Sequence, residues 1–217
     1  MQYQALAPAR RSKIAGLCIV LFLAIGLVGG RAAAIAAGPQ DNVRSFYATL
    51  LTTMKDGGVL GQSGRYAKLA PVVDRVFDVA LMTRLAIGLS WATLPAPQQH
   101  QLTDAFRHYI AATYADRFDS WSGEQLEVTG EQPYNADVIV QTKIVKSDGE
   151  TTTLNYLMRQ SQGSWQISDV YLDGTISQLA VQRSEFNSIL RREGVDGLVM
   201  ALNRKADLLS RGVAKSS

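Results

Sequence analysis

Apolar and polar positions recur with two periods along this chain, near 3.6 residues in its first half and 2 in much of its second, and the change predicts helices followed by strands. Asp41 reads as an N-cap, after which Val43, Phe46, Tyr47, Leu50, Leu51 and Met54 fall at helical spacing until Gly57 and Gly58 stop the run. Gly61 to Gly64 reads as a flexible link, and Arg65 to Asp78 resumes in short helical pieces that Pro71 interrupts or restarts. A third helix, Val79 to Leu89, carries Leu81, Met82, Leu85 and Leu89, with Gly88 and Trp91 marking its end. The clearest helix runs from Pro97 to Phe118. Its stripe of Leu102, Phe106, Tyr109, Ile110, Thr113, Tyr114 and Phe118 is wide enough to bury against a sheet.

From Leu126 the period becomes two. Leu126 and Val128, then Val138, Val140, Thr142 and Ile144, then Leu154, Tyr156 and Met158, then Trp165 and Ile167 predict four antiparallel strands, with hairpin signals at Asp148-Gly149 and Gln162-Gly163. On the last strand Trp165, Ile167, Asp169 and Tyr171 share one parity, and Asp173-Gly174 ends it. Thr175 or Ser177 is positioned to cap a helix whose face holds Ile176, Leu179, Ala180, Arg183, Phe186, Asn187 and Leu190. A final helix, Asp196 to Leu209, follows Gly194. The expected fold is therefore α+β, a four-stranded antiparallel sheet with helices packed on one side.

Two features of this pattern bear on function. Arg183 interrupts an apolar stripe, where an unpaired charge is costly, so it is expected to pair with Asp169 or Asp173 or to reach water along its stem. Ile139, Val145, Leu157, Val170 and Leu172 occupy the parity opposite to the apolar set above, so both sheet faces carry apolar residues. A curved sheet under helices can leave an apolar cavity between the layers, although an ordinary core produces the same stripes.

The N-terminal pattern changes the picture of charge and compartment. Arg10, Arg11 and Lys13 precede an apolar run from Ile14 to Val28, and the small residues from Ala32 to Ala37 offer cleavage sites. Residues 1–36 thus read as a secretory signal peptide, cut after Ala36 or Ala34, rather than an anchor, for which the run is short. That places residues 37–217 in the periplasm as one domain. Cys18, the sole cysteine, lies in the signal, which excludes disulfides, thiol catalysis and cysteine metal sites from the mature chain. The signal also carries Arg31, and removing its four cations leaves 18 basic against 19 acidic residues. The charge provides no case for nucleic acid as a partner.

Catalytic constellations are thin. His100, Asp104 and His108 share a helix face that could on paper hold a metal, but the wheel places it opposite the Leu102, Phe106, Ile110 stripe, so a solvated face is expected, with no metal and no cofactor. Asp169, with Tyr171 and Arg183 near it in sequence, could serve acid-base chemistry; a structural ion pair explains it as well. No Ser/His nucleophile arrangement or phosphate-cradling Gly motif occurs.

Two stretches carry a resemblance. Phe77, Asp78, Met82, Gly88 and Trp91 in the first, and Trp165, Ile167, Asp169, Val170, Gly174 and Ser177 in the second, resemble the MlaC-type periplasmic lipid carriers, also called the toluene-tolerance family, over nearly the whole of residues 37–217. The wording DVYLDGTISQLAVQRSEF is most similar to the hopanoid-biosynthesis-associated branch, HpnM. The Gly57 to Arg65 stretch departs from the phospholipid carriers in being longer and richer in glycine. The resemblance implies an NTF2-like sheet enclosing an apolar pocket. It also implies a non-enzymatic shuttle for hopanoids or phospholipids between inner and outer membranes. Its partners would be an inner-membrane lipid transporter of the ABC type and an outer-membrane acceptor complex, with transient membrane contact. Strand parity nominates Val138, Val140, Ile144, Leu154, Tyr156, Met158, Trp165, Ile167 and Tyr171 as pocket lining, with Arg183 at the rim. The alternatives are a small hydrolase or isomerase using Asp169, and a transporter-interaction subunit that binds no lipid.

Overall fold

Pro39 opens the first helix, α1 (Pro39–Lys55), where its fixed φ suits the first turn. The computed structural model describes residues 37–211; the expected signal peptide, with Cys18, lies outside the described residues. Gly38 is the N-cap, and Asp41 sits in the first turn, where its carboxylate accepts the Gly38 N–H at 3.3 Å. The remaining helices are α2 (Gly57–Val76), α3 (Val79–Ile87), α4 (Ala96–Arg117) and α5 (Gln178–Ser210), and a 3-10 segment over Gly88–Thr93 joins α3 to α4.

α1 stops at Lys55, directly before the two glycines, but the expected flexible link is helical: α2 begins at Gly57, breaks at Gly61 with φ 59° and continues as helix through Pro71. Tertiary contacts override the low propensity of the glycines. Arg65 holds the stretch by donating from Nε to the Ala115 carbonyl at 2.8 Å, from one terminal nitrogen to the Gly57 carbonyl at 3.1 Å, and from the other to Gln62 Oε1. The two expected C-terminal helices are present, running end to end as α5 with a break in helical geometry at Gly194, φ 71°.

Five strands form one antiparallel sheet in sequence order: β1 (Gln125–Tyr134), β2 (Asp137–Val145), β3 (Thr151–Ser161), β4 (Ser164–Leu172) and β5 (Ile176–Ser177). The fifth strand, unforeseen, is a two-residue ladder in which Ser177 opposes Tyr171 and Ile176 opposes Leu172. It delivers Ser177 as the N-cap of α5, its Oγ accepting the Ala180 N–H at 2.9 Å.

A bulge in β4 sets which side chains face the helices. Val170 opposes Tyr156, Asp169 opposes Leu157, but Ile167 opposes Met158, so Ser168 is the extra residue. Parity therefore changes within β4, and Trp165, Ile167, Val170 and Leu172 share the helix side with Leu154, Tyr156 and Met158. Tyr171, opposite Asn155, faces the other way. The bulged Ile167 carbonyl accepts the Asp78 N–H at 2.9 Å, tying β4 to the link before α3. Asp78 then caps α3 by accepting the Leu81 N–H at 3.0 Å.

Val140, Tyr156, Met158 and Ile167 are wholly buried beneath α1 and α2. Phe46 stands edge-on to Tyr156 at 6.4 Å, to Phe77 at 5.6 Å and to Tyr114 at 5.2 Å. This dense aromatic core fills the end of the sheet near Val138 and leaves the end near Ile144 less completely covered.

Candidate functional site

At that less covered end lies a cavity of about 600 Å³ between the sheet and helices α4 and α5, within the range typical of small-molecule pockets. The sheet contributes Ile144, Thr152, Leu154, Asp169, Val170 and Leu172; α4 contributes Phe106, Tyr109, Ile110, Thr113 and Tyr114. Met54, Phe77 and Met82 form the part against α1 and α3, and Leu179 and Gln182 bring in the start of α5. Helical spacing on α4 and alternation on the strands thus aim two apolar walls at one space. The mouth lies past Arg117 and Ser120, both exposed, and its rim is polar, with Asp116, Asp119, Glu124 and Lys146.

Of the residues nominated from strand parity, the structure places Ile144 and Leu154 in the cavity wall. Val140, Tyr156, Met158 and Ile167 are on the same sheet face but fully buried in the aromatic core, and Val138 and Trp165 pack partly buried against it. Their strands run past the cavity to the end that α1 and α2 close. Tyr171 is half-buried on the opposite face, displaced by the bulge, while Val170 and Leu172 take the wall positions. The α4 and α5 wall residues were missing from the nomination. The stripe through Phe106, Ile110 and Tyr114 was legible, and counting it as a wall would have found those on α4.

Arg183 is exposed, and among the described residues it pairs with neither Asp169 nor Asp173. Its guanidinium lies over Gly88, where a built Cβ would be 3.3 Å from a terminal nitrogen. The next turn of α5 repeats the contact, Asn187 donating to the Ala86 carbonyl at 3.1 Å. The polar residues in the stripe thus dock α5 on the end of α3. Gln182, one residue earlier, is the side chain that reaches the cavity.

Asp169 is buried, and its carboxylate accepts three donors: the Val170 N–H at 2.7 Å, the Leu179 N–H at 3.0 Å and the Ser177 hydroxyl at 2.5 Å. It satisfies one of the open amides at the start of α5, that of Leu179, where the helix dipole also favours a carboxylate. His108 is partly buried rather than on a solvated face: its ring meets Tyr66 edge-on at 5.4 Å, and Nδ1 lies 3.4 Å from Asn203 Oδ1. α5 covers that side of α4, a packing that the wheel alone did not show.

Tyr114, in the cavity wall, stands against the core that holds the buried Tyr47 and Tyr156. Tyr47 donates to Thr142 Oγ1 at 2.6 Å, which in turn donates to the Leu154 carbonyl. Burial raises the ionisation of Tyr47, Tyr114 and Tyr156 above the ordinary tyrosine range, and in Tyr156 the neighbouring Tyr114 and Tyr47 push it further. The cavity lining also includes Asp169, a buried carboxylate beside otherwise largely apolar side chains. At the rim, the Ser122 N–H and hydroxyl, both 2.7 Å from the Glu124 carboxylate, hold that acid below its ordinary range.

Comparison with known proteins agrees with this architecture. Residues 44–204 match the family model described as MlaC protein. Among solved structures, a phospholipid-binding protein from Ralstonia solanacearum, determined in complex with a phospholipid, has the same fold. It is 24% identical, the match covers 80% of this chain and 99% of that one, and the TM-score is 0.67.

Proposed function

The chain belongs to the MlaC family, and from that premise we propose that it is a lipid carrier whose cavity between α4, α5 and the sheet holds the hydrocarbon of a phospholipid or a hopanoid. The observation that carries this reading is the two-walled apolar cavity, open at a polar rim. At about 25 cal/mol per Å² of apolar surface removed from water, filling it with hydrocarbon is worth many kcal/mol. The headgroup end of an amphiphile then meets the charged rim. Phospholipid is the ligand of the Ralstonia protein; the hopanoid reading rests on the wording of the Asp169 to Phe186 stretch.

In this proposal residues 1–36 direct export, residues 37–217 form the carrier, and the protein shuttles lipid through the periplasm between inner and outer membranes. It receives and delivers through a transporter and an acceptor complex and performs no chemistry. The full engagement of Asp169 with three donors supports a structural role for the one acid that a hydrolase or isomerase would use. Mass spectrometry of an organic extract of protein recovered from periplasm tests the proposal. One lipid per chain is the expected result, and its class identifies the ligand. Lipid-free protein that takes up nothing from vesicles would overturn the carrier reading and leave the interaction subunit.

A further inference from the structure

The geometry points to a membrane-docking lip at the cavity mouth, formed by the start of α2 and the loop between α4 and β1, which seats the opening on a zwitterionic lipid surface. This inference rests on the carrier reading. Two large apolar side chains are left in water beside the mouth. Val59 is 95% exposed and Trp121 is 46% exposed. They belong to one structural unit, because the backbone of the α1–α2 turn is pressed against the α4–β1 loop: a Cβ at Gly57 would lie 1.9 Å from the Asp119 carbonyl oxygen. Asp119 and Ser120 line the cavity, and Trp121 follows them directly.

The chemistry of the lip is that of the water-lipid boundary. Trp121 is anchored through its indole N–H, which donates to the Glu124 carbonyl at 3.0 Å, while Lys55 Nζ lies 5.0 Å from the ring centroid. An indole with one face apolar and its edge polar, beside an ammonium, is suited to the headgroup layer. Around the mouth, Arg117 and Lys146 alternate with Asp116, Asp119 and Glu124. Such a mixed rim complements headgroups that present both phosphate and ammonium, and it offers no net attraction to an anionic surface. Insertion of Val59 and Trp121 therefore supplies the affinity. Continuity with the cavity gives the contact a consequence: a lipid tail can pass between bilayer and cavity without crossing open water.

The test uses protein recovered from a periplasmic extract and sedimented with vesicles of phosphatidylcholine and phosphatidylethanolamine, with and without phosphatidylglycerol. A Val59→Ser, Trp121→Ser double variant is expected to bind at least about tenfold more weakly, while Leu89→Ser, at an equally exposed leucine outside the lip, leaves affinity unchanged. Wild-type affinity is expected to be similar on both vesicle types and to vary little with salt. Equal affinity of the double variant, an equal loss in Leu89→Ser, or binding that requires the anionic lipid and disappears with salt would each overturn the lip. Loading from detergent-solubilised phosphatidylethanolamine is measured in parallel. The double variant is expected to load as wild type does, so a defect confined to vesicles supports the lip. If even wild type fails to load from detergent, it is the carrier reading that falls, and the vesicle affinities still decide the lip.

Discussion

The Leu179 amide donates to the Asp169 carboxylate across 3.0 Å, joining the bulged strand β4 to the first turn of α5. Because Leu179 and Gln182 form part of the cavity wall, this bond fixes the wall in place as well as capping a helix. Asp169→Ala leaves two backbone amides and the Ser177 hydroxyl without their acceptor, and it is expected to cost about 1–3 kcal/mol in urea unfolding. Asp169→Asn retains one oxygen acceptor and should cost less. A hydrolase would show a different signature, with activity lost in both variants and stability preserved in the second.

Core and cavity positions on the same strand pair should separate cleanly. Met158 is fully buried in the hydrophobic core, so Met158→Ala is expected to lose about 2–5 kcal/mol of stability, as for other buried deletions. Leu154 faces the cavity. Leu154→Glu places a carboxylate where the tail is proposed to lie, and lipid loading should fall with a smaller shift in the unfolding midpoint. Comparable loss of stability in both, with loading unaffected in the second, would identify Leu154 as ordinary core.

Arg183 is expected to be nearly neutral. Exposed and, among the described residues, without an ion pair, it rests its guanidinium over Gly88, so Arg183→Met should change stability by no more than about 0.5 kcal/mol. A double-mutant cycle with Asp169 or Asp173 should give coupling within about 0.5 kcal/mol, the ordinary limit of additivity. Stronger coupling in either cycle would restore the buried pair that the sequence pattern suggested.

Tyr47, Tyr114 and Tyr156 set an alkaline limit on the fold. Each ionises above the ordinary value of 10.0 in the folded protein, principally because burial disfavours the phenolate. Between the unfolded and folded ionisation ranges the native state retains protons that the unfolded chain has lost. Stability is therefore intact below about pH 10 and falls as pH rises beyond it. Absorbance titration should show Tyr47, Tyr114 and Tyr156 ionising only together with the loss of near-ultraviolet circular dichroism. Ionisation of Tyr47, Tyr114 and Tyr156 before any unfolding would contradict the burial.

Local patterning was legible where one element's own period decided the outcome. The α4 stripe, the alternation of β2 and β3 and the turns at Gly149 and Gly163 all follow from spacing and from residues that tolerate positive φ. What could not be read was set by partners distant in sequence. An inserted Ser168 reverses parity in β4, a change visible only once Met158 is paired with Ile167. The division of one continuous sheet face into core and cavity depends on where α1 and α2 end their cover. The burial of His108 depends on α5 lying across α4. Of the two outcomes expected for Arg183, an ion pair or access to water, the choice was set by the docking of its stripe on the end of α3, where a polar side chain can rest over a glycine and remain in water.

The Gly57 to Gly64 stretch, which the sequence singled out as unusual, makes opposite predictions at adjacent residues. At Gly57 a Cβ would stand 1.9 Å from the Asp119 carbonyl oxygen, and the obstacle is backbone on a loop that also lines the mouth. Gly57→Ala must separate the α1–α2 turn from that loop, with a cost of about 1–3 kcal/mol expected for overpacking. At Gly58 nothing lies within 4 Å, and the residue is helical. There alanine removes unfolded-state freedom at no steric cost, so Gly58→Ala should stabilise by about 0.4–1 kcal/mol. The two variants carry the same added methyl one residue apart, which cancels any general effect of replacing glycine. Equal unfolding midpoints would show that the turn does not press on the Asp119 loop, and would thereby remove the contact that joins Val59 to Trp121 in a single lip.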